Sequence, residues 1–283
     1  MRRSLATLAS ALLAAAPLAA QAPPPDVATA RAAWERHPSN IDSITWYGRR
    51  VGYTGDFAQA VAIYSEGLRR HPDEPHLLRH RGHRLLSLRR YPEAIADLAR
   101  ARAVVAGRPD EVEPDGQPNA RGIPTSTLHS NIRYHLALAL FLTGDFAGAL
   151  PIWAEDAATA TTLDQRVAAT YWQVLTLAHL QRRDQVQALL APIRADWDII
   201  ENGSYHRLLL WMQGTLPEAA LLPADAPLLE RQTVGNGIGQ WHAALGRPDA
   251  ARAAWQRVLA TGPSAAFGVL AAEAGLRRLD GGR

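Results

Sequence analysis

Residues 41–74 read IDSITWYGRRVGYTGDFAQAVAIYSEGLRRHPDE, and residues 75–108 read PHLLRHRGHRLLSLRRYPEAIADLARARAVVAGR. Set one above the other, these two 34-residue lines bring Gly48 onto Gly82, Phe57 onto Tyr91, Ala60 onto Ala94 and Leu68 onto Arg102. A fixed period of this length marks a repeat built from one supersecondary unit. The expectation is two antiparallel helices per line, with Gly48 and Ala60 at the site where they approach each other.

The same punctuation recurs downstream. Gly144-Asp145-Phe146, Ala149 and Trp153 mark a pair starting near Ser130, and Gly239, Gly246-Arg247-Pro248, Ala251, Trp255 and Pro263 mark one starting near Gln232. Between them the pattern weakens. Trp172 to Ala191 and Asn202 to Leu222, the latter turning at Gly214, read as degenerate pairs. Ala30-Arg31-Ala32-Ala33-Trp34 echoes Ala251-Arg252-Ala253-Ala254-Trp255, so residues 26–37 read as a lone second helix, and 265–279 as a closing cap helix.

Gly48, Gly55-Asp56-Phe57, Ala60, Tyr64 and Pro72 resemble the tetratricopeptide-repeat (TPR) pattern. The resemblance covers nearly all of the chain after residue 22, and it implies an all-α, right-handed superhelix whose first helices line a concave groove. Asp110 to Gly116 and Thr127-Leu128-His129 resemble an exported bacterial group of such proteins. Fold alone names no ligand. A peptide or protein partner held in the groove is what the family implies.

The organisation expected is a signal peptide over 1–22, a linker and lone helix over 23–40, and two repeats over 41–108. An acidic, Pro/Gly-rich insertion follows over 109–129, then the third repeat, two degenerate repeats and the final repeat over 130–264, and a cap helix and tail over 265–283. The signal reading rests on Arg2-Arg3, the apolar run Leu5 to Ala20, and Ala20-Gln21-Ala22, with cleavage expected after Ala22 and a periplasmic or secreted destination. The apolar run is shorter than the roughly 18–20 residues of a membrane span. The insertion is too long for an ordinary inter-repeat turn, so a mobile surface loop and a functional flap both remain open.

Composition excludes several chemistries. The 283 residues include neither cysteine nor lysine. That removes thiol nucleophiles, thiolate metal ligands, Schiff-base chemistry and the P-loop lysine. No G-x-S-x-G or H-E-x-x-H run is present. Without Arg2 and Arg3 the chain carries 28 bases against 27 acids, a net +1, which does not favour nucleic acid.

Reading the first-helix faces gives the candidate site. Arg49 and Tyr53 come from the first repeat, and His76, Arg79, His80 and His83 from the second. The three histidines fall at i, i+4 and i+7, on one helical face. Zinc is disfavoured by the interleaved arginines and by the lack of a carboxylate on the stripe, so no metal and no cofactor is assigned. An anion site suits these side chains, one expected to strengthen as the imidazoles protonate near about pH 6.5. Asn131, Tyr134 and His135 share N-x-x-Y-H with Asn202, Tyr205 and His206. These two helix starts either converge on the groove, joined by Asn236 and Gln240, or serve as N-caps. The rival to a binding scaffold is a hydrolase or metal-dependent enzyme using His129, His135 and His206 with the acidic insertion.

Overall fold

The computed structural model describes residues 25–281, so the signal-peptide segment lies outside the described residues. Among these, the chain forms thirteen α-helices and no named strand. After the lone helix α1 (Val27–Arg36) come α2 (Ile41–Tyr53) with α3 (Phe57–Arg70), α4 (Pro75–Ser87) with α5 (Tyr91–Val105), and α6 (Leu128–Thr143) with α7 (Phe146–Ala158). Then follow α8 (Leu163–His179) with the short α9 (Arg183–Leu190), and α10 (Gly203–Gln213) with only a 3-10 turn, Glu218–Ala220, as its partner. The chain closes with α11 (Leu228–Ala244), α12 (Pro248–Leu259) and α13 (Phe267–Gly281).

The pairs close by a small-against-large contact at one register. A Cβ added to Gly48 would meet the Tyr64 ring at 2.5 Å, one on Gly82 would meet Leu98 at 2.6 Å, and one on Gly239 would strike the Trp255 indole. Ala137 and the fully buried Trp153 occupy the matching positions of the third repeat. This is the tetratricopeptide arrangement, an all-α solenoid of stacked helix pairs. Trp153, Trp172 and Trp255 are core side chains, and Trp34 docks α1 by stacking on Tyr47 at 5.2 Å. Helix starts are set by acceptor side chains, with Asn40, Asp56, Thr127 and Asp145 each accepting from a first-turn backbone N–H.

Between the helices of a pair the chain turns through a left-handed residue. Gly55, Gly144 and Gly246 supply it at φ +93°, +88° and +72°. Where the repeat has lost its glycine, Arg89 (φ +60°) and Gln181 (φ +58°) adopt the same conformation at a cost of about 1 kcal/mol or more each. Both side chains reach far along the sequence. Arg89 donates to Glu273 on α13 at 2.7 Å and to the Ser264 carbonyl, and Gln181 donates to the Ala244 carbonyl at the end of α11. Helix α13 therefore covers α11 and α12 and also returns to α4 and α6, which closes one side of the groove.

Candidate functional site

The insertion is an ordered strap. Val112 pairs with Thr127 in an isolated antiparallel bridge, and Leu128 N donates to the Glu111 carbonyl. From that anchor the chain carries Glu113 into the groove. Its carboxylate, 4% exposed, lies 3.1 Å from Arg79 Nε and 2.9 Å from His80 Nε2, and accepts from Asn131 Nδ2 at 2.8 Å. Burial alone would raise the Glu113 pKa, but Arg79 and His80 hold it well below the usual carboxylate range. Arg49 then donates to the Pro114 carbonyl and Arg50 to the Gly116 carbonyl, each at 2.7 Å. Gly116 packs directly under the Tyr53 hydroxyl and the Arg49 guanidinium, which a Cβ at this position would displace. On the far side, Thr125 donates to Glu201 and Arg121 pairs with Asp198, in the segment before α10.

This corrects the expected anion stripe. Arg49, Arg79 and His80 are buried, not exposed; Arg79 and His80 hold the chain's own Glu113, and Arg49 holds the Pro114 carbonyl. His76, the one histidine left at the rim, bonds Glu74 and Glu111. Burial, with Arg79 beside it, drives His80 well below its ordinary value, and burial with Arg84 does the same to His83. His135 is brought down to about 3, first by burial and then by Arg79. Burial and the neighbouring arginines thus oppose charging of His80 and His83, which runs against the expected strengthening of the stripe on protonation.

The paired motif does converge at its tyrosines. Tyr134 and Tyr205 hydroxyls lie 3.0 Å apart, and Trp172 donates its indole N–H to Tyr134. Neither asparagine is a side-chain cap. Thr127 caps α6, Asn131 sits within its first turn facing Glu113, and Asn202 donates to the Asp164 carbonyl. His206 leaves the site, bonding the Arg194 carbonyl and stacking on Trp197. Asn236 and Gln240 also lie elsewhere, bonded to each other and to Ala271 and His179 inside the α8, α11 and α13 contact. His129 lines a separate surface recess with Arg102 and Glu155, so the hydrolase set of His129, His135 and His206 does not assemble. Among the described residues, no group of three His, Asp or Glu side chains is arranged to hold a metal ion.

What remains open is the middle of the groove. An inner chamber of about 270 Å³ is walled by the strap, α4, α6 and α8, and it continues into an outer vestibule of about 640 Å³ between α10, α11 and the start of α13. Tyr53, His83, Arg84, Tyr134, Glu201, Asn202 and Phe267 border both. Arg84 is the residue that sequence reasoning missed. It is 6% exposed, its Nε has no hydrogen-bond partner, and among the described residues no carboxylate pairs with it. Its guanidinium carbon lies 5.5 Å from the Tyr53 ring and 5.8 Å from that of Phe57. Gln165 Nε2 in the same chamber is likewise buried without an acceptor. His83 and His135 rings pack at 4.5 Å, and Phe267 lies 5.4 Å from the first and 5.5 Å from the second. No pattern in the sequence distinguishes Arg84 from Arg81 on the same helix, which is neutralised by Asp97.

No protein-family model and no curated protein matches the chain. Among solved structures it is similar to YrrB, described as a TPR protein with an unusual peptide-binding site (12% identity over 87% of this chain and 99% of that one, TM-score 0.48). It is also similar to a tetratricopeptide repeat protein from Parabacteroides merdae (13% identity, 88% and 91% covered, TM-score 0.49). A third is BtubC from P. vanneervenii (17% identity, 82% and 85% covered, TM-score 0.45).

Proposed function

We propose that this protein is a binding module that holds an anionic ligand in the unfilled middle of its groove, with Arg84 as the anchor. The ligand is a peptide, a partner protein or a free molecule that carries the anionic group. The observation that carries the reading is a guanidinium buried beside an open chamber with no acid to neutralise it. A buried charge of this kind is costly unless a partner neutralises it, so a ligand anion completes the site. Arg79 and Asn131, which hold Glu113, show the same wall already binding a carboxylate of the chain itself.

The test is calorimetric titration of the protein with sodium acetate and inorganic phosphate, on wild type and Arg84→Gln. A charge-assisted hydrogen bond contributes about 1.5–3 kcal/mol, so the substitution should weaken anion binding by roughly 10- to 100-fold. Equal affinity in the two proteins would place the anion elsewhere. Export to the periplasm or medium is proposed on Arg2-Arg3, the apolar run and Ala20-Gln21-Ala22. N-terminal sequencing of exported protein should begin at Pro23, and a chain beginning at Met1 would reject it.

A further inference from the structure

We propose that the ligand is a free monocarboxylic acid with an apolar body, its carboxylate in the inner chamber at Arg84 and its body in the outer vestibule. This rests on the anion-binding reading above and narrows it to one chemical class.

The carboxylates already on the wall favour a ligand with a single negative charge. Of the three guanidiniums on the inner wall, Arg79 faces Glu113 and Arg49 donates to the Pro114 carbonyl, whereas Arg84 makes neither an ion pair nor a side-chain hydrogen bond among the described residues. Glu113, Asp115 and Glu201 border the same space. A second negative charge on the ligand would face those carboxylates. Gln165 Nε2 adds one neutral donor, suited to an uncharged oxygen of the ligand.

The walls select an apolar body. Leading out from Arg84, the passage runs past Phe267 and Tyr205 to Ala265, Ala266 and Leu229, the last of which is 62% exposed, with Glu201, Asn202, Glu230 and Thr233 as the polar groups on its wall. Aromatic and aliphatic walls with a few fixed polar groups, over several hundred cubic ångströms, suit a small organic molecule.

Closure selects a free molecule over an extended chain. A bound peptide advances about 3.3 Å per residue and needs a lane along the first helices of successive repeats. That lane is filled at both ends. The strap occupies Arg49, Arg50 and Arg79, and crosses to Glu201 and Asp198. Helix α13 occupies Gln240 and brings Phe267 against His83 and His135.

The experiment titrates wild type, Arg84→Gln and Phe267→Ala with acetate, benzoate, decanoate, benzyl alcohol, inorganic phosphate and an apolar tripeptide with a free carboxylate. Circular dichroism and melting establish that each variant is folded. Benzoate or decanoate should bind at least tenfold more tightly than acetate, and benzyl alcohol and phosphate no better than acetate. Phe267→Ala should weaken benzoate and decanoate more than acetate, and Arg84→Gln should weaken every acid. Arg84-dependent binding of phosphate or of the tripeptide, in preference to benzoate and decanoate, would overturn the free-acid assignment and leave the anion site standing. Binding that ignores Arg84→Gln, or no binding by any probe, would overturn both.

Discussion

Arg79 and Glu113 meet at 3.1 Å inside the groove, with side-chain exposures of 9% and 3%. This pair joins the second repeat to the strap, and it sits beside His80 and Asn131, which share the same carboxylate. Removing one member of a buried pair leaves the other uncompensated and costs about 3–5 kcal/mol. Glu113→Leu should therefore be strongly destabilising in urea denaturation, and the double variant Arg79→Met/Glu113→Leu should recover part of the loss. Additive losses in the double variant would show that the two charges are not coupled.

Acidification should weaken the fold. His80 and His135 stay neutral in the folded chain because burial holds their pKa values below the ordinary 6.5. Below that pH the unfolded chain takes up protons that the folded chain refuses, so stability is full above about pH 6.5 and falls as pH drops toward the folded values. The loss is about 1.4 kcal/mol per pH unit for each imidazole. Thermal melting at pH 7.5 and 5.5 measures it. Asp156, pushed up to about 7 by burial, takes up a proton in the fold and acts in the opposite sense over this window. The imidazole share is therefore read as the part of the pH dependence lost in His135→Gln. A pH dependence unchanged in that variant would mean that this ring does not resist protonation in the fold.

Gly48→Leu and Gly82→Leu should each destabilise by about 1–3 kcal/mol through overpacking, since their Cβ positions lie within 2.6 Å of Tyr64 and Leu98. Ala60→Leu belongs with them, because Ala60 is fully buried. Wild-type melting of all three would contradict the small-against-large register.

The Tyr134 hydroxyl accepts from Trp172 and bonds the Tyr205 hydroxyl. Tyr134→Phe strands the indole N–H and should cost about 1–3 kcal/mol, with a change in tryptophan emission. Tyr205→Phe leaves the Trp172 bond in place and should cost less. The reverse order in chemical denaturation would count against this geometry.

Arg89 sets a local cost against a distant bond. Arg89→Gly should relieve the left-handed strain but release Glu273 and the Ser264 carbonyl. Faster amide exchange over α13 is the expected result. Unchanged exchange there would show that α13 is held without Arg89.

The sequence by itself determined the helix pairs and their stacking. Repeat packing is a nearest-neighbour matter, so its rule is written locally: a small residue on the first helix, a large one on the second, and a left-handed turn between them. Gly48 with Tyr64 and Gly239 with Trp255 are legible at sight for that reason. The echo between the two helix starts left convergence and N-capping both open, and packing decides for contact between Tyr134 and Tyr205. Tertiary structure alone decided the site. Whether Arg49 and Arg79 face solvent depends on where a 19-residue stretch outside the repeat period, 109–127, lays its carbonyls and Glu113, and no periodicity records that. Whether Asn236 and Gln240 face the groove depends on α13 packing against α11. Arg84 and Arg81 are alike as residues on one helix. Only the positions of the carboxylates around them make one a neutralised ion pair and the other a buried, unpaired charge facing an open chamber.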